Sequence, residues 1–274
     1  MKVGLFIPCY IDQLYPQVGM ATVKLLADLK VDFEYPMSQT CCGQPMSNTG
    51  CIKETIPVID KFVREFKHFD AVVCPSGSCT AMIKHQYPEL KKGAANFEEV
   101  NALAHKSYEL CEFLLDVLKI ENLPVKFPHK VGIHQSCHGL RELGLGSPSE
   151  IMKKHVDKVA TILSMVKDID IRPLSRTDEC CGFGGLFSVL ESETSCQMGR
   201  DRIKDHTTHE VDVITSADMS CLMHMEGLIR RNKDPLRVKH VAEILAGARS
   251  CMAAIRRLGA DRHGAVRRRA GSLP

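Results

Sequence analysis

The chain has 274 residues, 44% of them apolar and 25% charged, with a formal net charge of +3 and 13 cysteines. These proportions describe a globular protein large enough for two modest cores; they exclude low-complexity and membrane-spanning architectures, since no run approaches the roughly 20 apolar residues a bilayer requires. Charge is lopsided: the stretch from Arg249 onward holds seven arginines against the single Asp261, which leaves −3 on residues 1–248.

In chain order, apolar runs alternate with amphipathic stretches, the pattern of α/β units around largely parallel sheets. Residues 3–7 (Val-Gly-Leu-Phe-Ile) predict a strand, 18–29 a helix and 31–35 a second strand, followed by a loop carrying Cys41-Cys42. Residues 53–68 predict a helix with Ile56, Ile59, Phe62, Val63 and Phe66 on one face, leading to a strand at 70–74 and the loop Pro75-Ser76-Gly77-Ser78-Cys79. A helix at 101–119 and the proline-bearing segment 122–128 separate this half from the next. The order then restarts: strand 131–134, helix 149–166, strand 169–174, Cys180-Cys181, a helix near 188–204, strand 211–215, a helix from Met219 and a short final helix over 238–246.

The cysteines repeat with the elements. Cys9 is followed after 31 residues by Cys41-Cys42-Gly43 and after 36 more by Cys79; Cys137 is followed after 42 by Cys180-Cys181-Gly182 and after 39 by Cys221. Lys2-Val3-Gly4 precedes the first set as Lys130-Val131-Gly132 precedes the second, and Asp70-Ala71-Val72-Val73 leads to Cys79 much as Asp212-Val213-Ile214 leads to Cys221. Each of these cysteines falls at or just after the C-terminal end of a predicted strand, where open α/β sheets place their ligands. The expected fold is therefore two pseudo-repeated Rossmann-like domains with largely parallel sheets: residues 1–125, residues 126–248, and a basic, disordered tail over 249–274.

Four thiolates per set is the ligand count of an iron–sulfur cluster. Adjacent cysteines suit a polynuclear cluster better than a single tetrahedral zinc, because neighbouring side chains on an extended backbone point apart. Gly43 and Gly182 let the backbone turn tightly beside the pair. The plain alternative, that free cysteines are small buried hydrophobes, is adopted for Cys51, Cys111, Cys196 and Cys251, which have no counterpart in the other half. Cys74 aligns with Ser216 and is assigned to the strand core, with a fifth-ligand role as the minority reading.

The text around these cysteines resembles the cysteine-rich CCG-domain proteins, and within them the A components of three-protein lactate-utilisation iron–sulfur complexes. The matching stretches are Phe6-Ile7-Pro8-Cys9 with Asp12-Gln13-Leu14-Tyr15-Pro16, Gln39-Thr40-Cys41-Cys42-Gly43-Gln44-Pro45, Pro75-Ser76-Gly77-Ser78-Cys79, Ser136-Cys137-His138, Cys180-Cys181-Gly182-Phe183-Gly184-Gly185 and Cys221-Leu222-Met223-His224, covering residues 1 to about 247. The resemblance implies an electron-transfer subunit in the oxidation of L-lactate to pyruvate. It also implies a ferredoxin-like B component and a C component as partners, and iron–sulfur clusters of 4Fe-4S type, one per repeat. More distantly the chain is similar to the B subunit of heterodisulfide reductase and to the iron–sulfur subunits of glycolate oxidase and anaerobic glycerol-3-phosphate dehydrogenase. Such reductase repeats end in Cys-x-x-Cys, whereas here the last positions are Met82 and His224, so four-cysteine ligation fits better. A disulfide-reducing catalytic subunit, the iron–sulfur subunit of a glycolate or glycerol-3-phosphate dehydrogenase, and a structural zinc protein stand as the alternatives.

His134 and His138 bracket Cys137, either as a proton relay or as histidines bonded to backbone carbonyls. His224 packs or bonds a sulfur, and Arg141-Glu142 either meets a partner or caps a helix. Gly182-Phe183-Gly184-Gly185 lacks the full dinucleotide fingerprint and reads as a tight turn, so no nicotinamide or flavin is expected. Arg267-Arg268-Arg269 has no interleaved aromatics, which argues against nucleic acid. Thirteen cysteines without a signal peptide predict a reducing, cytoplasmic location.

Overall fold

The computed structural model describes residues 1–151 and 156–247. The first half carries β1 (Lys2–Leu5), β2 (Asp32–Glu34), β3 (Ala71–Cys74) and β4 (Ser107–Glu109) in a sheet of order β2-β1-β3-β4. The second carries β5 (Lys130–Ile133), β6 (Asp170–Ile171), β7 (Val213–Ser216) and β8 (Arg237–His240) in the equivalent order β6-β5-β7-β8. All pairings are parallel, with Val3 against Ala71 and Phe33 in one sheet and Val131 against Val213 and Ile171 in the other. Parallel sheets are covered on both faces, which is why β3 reads Ala-Val-Val-Cys and is buried throughout.

The two faces of the first sheet pack differently. Val3, Leu5 and Val73 join a cluster that runs on through Val131, Val213 and Ile214 of the second sheet. Phe6, Val72 and Cys74 turn the other way onto the helix Ile52–Phe66. There Phe6 meets the edge of Phe62 at 5.0 Å, and Phe62 stacks on Phe66 at 4.5 Å. Aromatic pairs in these geometries add to the gain from burial alone.

Several elements differ from the sequence expectation. The helix anticipated over 101–119 is the helix Phe97–His105, then β4, then the helical segments Leu110–Glu112 and Phe113–Val117. Pairing of Val72 with Ser107 and of Cys74 with Glu109 overrides the helical spacing of Leu103 and Leu110. Residues 237–240 form β8, so the last helix is confined to Val241–Ala246. The strand expected at 169–174 shrinks to Asp170–Ile171; of the helix expected over 149–166 the described residues show Lys158–Leu163, capped by Asp157, while 152–155 lie outside the described residues. The tail from residue 248, including Cys251, lies outside the described residues.

Each half closes with a helix that sits on the other half. After β4, a capping box between Glu109 and Glu112 starts the segment whose Leu110, Phe113 and Leu114 share a core with Val159 and Ile162 of the second half. After β8, a capping box between His240 and Glu243 starts Val241–Ala246, which packs on the helix Pro16–Asp28 of the first half. Lys24 Nζ donates to the carbonyl of Ala246 at 2.6 Å, and Tyr15 OH donates to Glu226 at 2.9 Å across the same junction.

Candidate metal centre

Three successive strand ends supply the first sulfur set. Cys9 begins the helix Cys9–Leu14 just past β1, where Pro8 keeps the backbone extended. Cys41 and Cys42 lie in the loop after β2, tied down by Tyr87 OH donating to the Cys42 carbonyl at 2.7 Å. Cys79 lies in the helix Gly77–Ala81 past β3, whose cap Ser76 accepts the Cys79 amide. These placements bring Cys9 Sγ to 3.6 Å from Cys41 Sγ, and Cys42 Sγ to 3.3 Å from Cys79 Sγ.

The second set follows the same plan. Cys137 precedes the turn His138–Glu142 past β5, Cys180 and Cys181 lie in the loop after β6, and Cys221 is in the first turn of the helix Met219–Asn232 past β7. The Cys180 thiol contacts Cys137 and Cys181, and Cys181 also contacts Cys221. All eight sulfur-bearing residues line one cavity of about 380 Å³ between the two halves. None of the described cysteines is in a disulfide.

The glycine after each pair works through its backbone. Gly43 and Gly182 take φ values of +85° and +87°, which L side chains rarely adopt, and each aims its amide at the preceding sulfur: Gly43 N to Cys41 Sγ and Gly182 N to Cys180 Sγ, both 3.3 Å. Hydrogen bonds from the Cys42 and Cys9 thiols, with the Gly43 amide, hold Cys41 down at about 3; Cys137, Cys181 and the Gly182 amide hold Cys180 down at about 2. Cys42 and Cys74 hold Cys79 down at about 5. Their partners Cys9 and Cys137 are pushed up, first by the neighbouring thiol and then by burial. A crowd of soft donors, three of the eight stabilised as thiolates, in a cavity of cofactor size is a chemical fit for an iron–sulfur or other thiophilic metal centre.

The halves knit together at the rim. Asp218 caps the helix of Cys221 through Oδ1, and its Oδ2 accepts the amide of Ser78 at 2.6 Å. Gly77 N donates to the Ala217 carbonyl at 3.1 Å, so each final cysteine helix starts against the other half. Tyr10 and Phe183, one from each half, meet edge to face at 6.1 Å over the cavity, with the exposed Leu186 and Val189 beside them. Sequence reading missed Asp218, Tyr87 and Tyr10. Only Asp218 left a signal, as a capping residue directly before a predicted helix.

The remaining residues resolve individually. Met82 is fully buried in the first core, and His224 Nε2 bonds the Ser195 carbonyl at 3.2 Å rather than a sulfur. Cys74 ends β3, buried, with Sγ 3.8 Å from the Ser76 carbonyl. Cys111 is buried and Cys196 half-buried, but Cys51 is exposed at the start of the helix Ile52–Phe66, which corrects its assignment to the interior. The reason is local: Cys51 is the N-cap, ahead of the first helical turn, and the buried face of that helix begins only at Thr55. Arg141 reaches Glu150 through two bonds of 2.7 and 3.3 Å instead of capping a helix. His138 Nε2 is 3.4 Å from Gln44 and 3.6 Å from Glu142. His134 bonds no carbonyl through its ring.

Residues 3–84 and 131–226 match the sequence model of a family described as a cysteine-rich domain, CCG. Among curated proteins, "Lactate utilization protein A" of Geobacillus sp. (strain WCH70) is 40% identical over 247 residues, 89% of this chain and 99% of that one. The protein of the same name from Geobacillus thermodenitrificans is 42% identical over 246 residues, covering 89% and 98%. "Lactate utilization protein A 2" of Bacillus cereus (strain Q1) is 39% identical over 247 residues, covering 90% and 98%.

Proposed function

This chain belongs to the cysteine-rich CCG-domain family, and on that premise we propose that it is the iron–sulfur electron-transfer subunit of an L-lactate oxidation system, working beside a ferredoxin-like B component and a C component. The carrying observation is that two sulfur sets from equivalent strand ends open into one cavity of about 380 Å³. Cys9, Cys41, Cys42 and Cys79 would hold one 4Fe-4S centre, and Cys137, Cys180, Cys181 and Cys221 the other. Bound there, such a centre supplies one-electron acceptance and release. The chain's own residues make the sites receptive: the Gly43 and Gly182 amides neutralise part of the thiolate charge, Tyr87 fixes the Cys42 backbone, and the Tyr10–Phe183 pair limits water at the mouth. Met82 in the core and His224 on the Ser195 carbonyl occupy the positions where a reductase repeat carries its last cysteine, which favours four-cysteine ligation over disulfide cleavage.

The test is Cys42→Ser and Cys181→Ser in anaerobically purified full-length protein. Each substitution is expected to remove about half of the iron and of the visible absorbance and to stop lactate-dependent electron flow. Iron content unchanged in both variants overturns the assignment, and zinc in place of iron in the unaltered protein overturns it equally. No helix among the described residues is long and apolar enough to cross a membrane.

A further inference from the structure

The two sulfur sets are not equivalent in what surrounds them. Three residues before Cys9 stands Phe6, packed against the rings of Phe62 and Phe66. Three residues before Cys137 stands His134, held just past β5 by its amide donating to the Thr215 carbonyl at 2.8 Å. Its side chain is 1% exposed, and neither ring nitrogen has a hydrogen-bond partner. A buried imidazole left in that state is destabilising, because its desolvation is not offset by a hydrogen bond. One of its ring nitrogens lies with Cys181 Sγ and Cys221 Sγ in a group whose atoms are all within 4.8 Å of one another.

Charged and polar groups face this ring from both sides. Arg202 and His206, from the helix Ser192–Thr208, lie on one side; Cys180 and Asp218 act from the cavity side. Arg202 is already engaged with Asp205 at 3.0 Å and lies near His206 Nε2 at 3.3 Å. An imidazole carries at least one N–H donor in either protonation state, and Cys181 Sγ and Cys221 Sγ lie within 4.8 Å of a ring nitrogen.

We propose that His134 donates a ring N–H to sulfur of the centre held by the second cysteine set, so that this centre has a higher reduction potential than the first, which faces Phe6 instead. This rests on the reading that both sets hold iron–sulfur centres. Hydrogen bonds to cluster or ligand sulfur offset the charge of the reduced state, and neighbours of this kind tune metal sites throughout proteins. His134 is thus a positioning residue: it sets the order in which two otherwise matched sites fill with electrons.

The experiment is a potentiometric titration of the anaerobic full-length protein followed by electron paramagnetic resonance, with the second centre identified as the signal lost in Cys181→Ser. His134→Phe, which installs the first half's residue, is expected to lower the potential of the second centre alone at unchanged iron content, while His134→Gln, which keeps an N–H donor, retains most of the native value. In protein labelled with ¹⁵N-histidine, pulsed resonance of the reduced second centre is expected to show a nitrogen coupling that disappears in His134→Phe and survives His138→Gln. A second centre present with no histidine coupling, or with the same potential in His134→Phe, overturns the inference and leaves the proposed function standing. A protein without iron-based signals overturns both.

Discussion

The glycines that follow the cysteine pairs give an unequal response to one added methyl group. In Gly43→Ala the new Cβ would stand 3.3 Å from Thr55 Cγ2 and 3.5 Å from Val58 Cγ1, near-ordinary contacts with side-chain methyls. Its cost is then the left-handed backbone alone, about 1–2 kcal/mol. In Gly182→Ala the Cβ would stand 2.6 Å from the Ser195 carbonyl oxygen and 2.7 Å from Met198 Cβ, atoms fixed in the helix Ser192–Thr208. Ser195 Oγ also donates to the Gly182 carbonyl at 2.7 Å, so the loop cannot simply back away. Overpacking of this kind adds about 1–3 kcal/mol. At about 2–4 °C per kcal/mol for a chain of this size, Gly182→Ala should melt roughly 2–12 °C below Gly43→Ala. Thermal unfolding of the two metal-free variants, followed by circular dichroism, measures the gap. A Gly182→Ala protein melting at or above Gly43→Ala refutes the packing argument.

Burial raises the Glu109 carboxyl from 4.5 to about 8, although its Oε2 accepts the amides of Cys111 and Glu112. The folded chain therefore holds a proton that the unfolded chain releases; this group's contribution is complete below about pH 4.5 and is lost as pH rises to about 8. Between about pH 5.5 and pH 8 the loss amounts to about 3 kcal/mol, and Glu109→Gln should flatten it in urea titrations; parallel pH slopes for the two proteins refute this. Arg202 is fully buried and bonds Asp205 and the Arg176 carbonyl. Arg202→Met leaves that carboxylate without its cation and should cost about 3–5 kcal/mol in the same assay; a loss under about 1 kcal/mol contradicts the pairing.

The strands and cysteine sets were legible because they repeat: a buried parallel strand is a short apolar run, and every ligand candidate follows one. β4 and β8 were not. Ser107-Tyr108-Glu109 has no apolar alternation and sits between Leu103 and Leu110 at helical spacing, so only its pairing with β3 makes it a strand. Arg237-Val238-Lys239-His240 carries the charges of an edge strand and shows no apolar run. Contacts between residues far apart in sequence, such as Asp218 on the Ser78 amide, leave no local trace at all. His134 was visible as a histidine beside Cys137, but its lack of a partner is a property of the packed interior around it.

The reciprocal seating of the two closing helices has a mechanical consequence. Separating the halves would unseat Val241–Ala246 from one side and Leu110–Glu112 with Phe113–Val117 from the other at once, so no single pivot can open the molecule like a book. Gly184, Gly185 and the exposed Leu186 and Val189 line the cavity that the two halves enclose. The spacing between the paired sulfur nests is thus tied to the seating of both closing helices together.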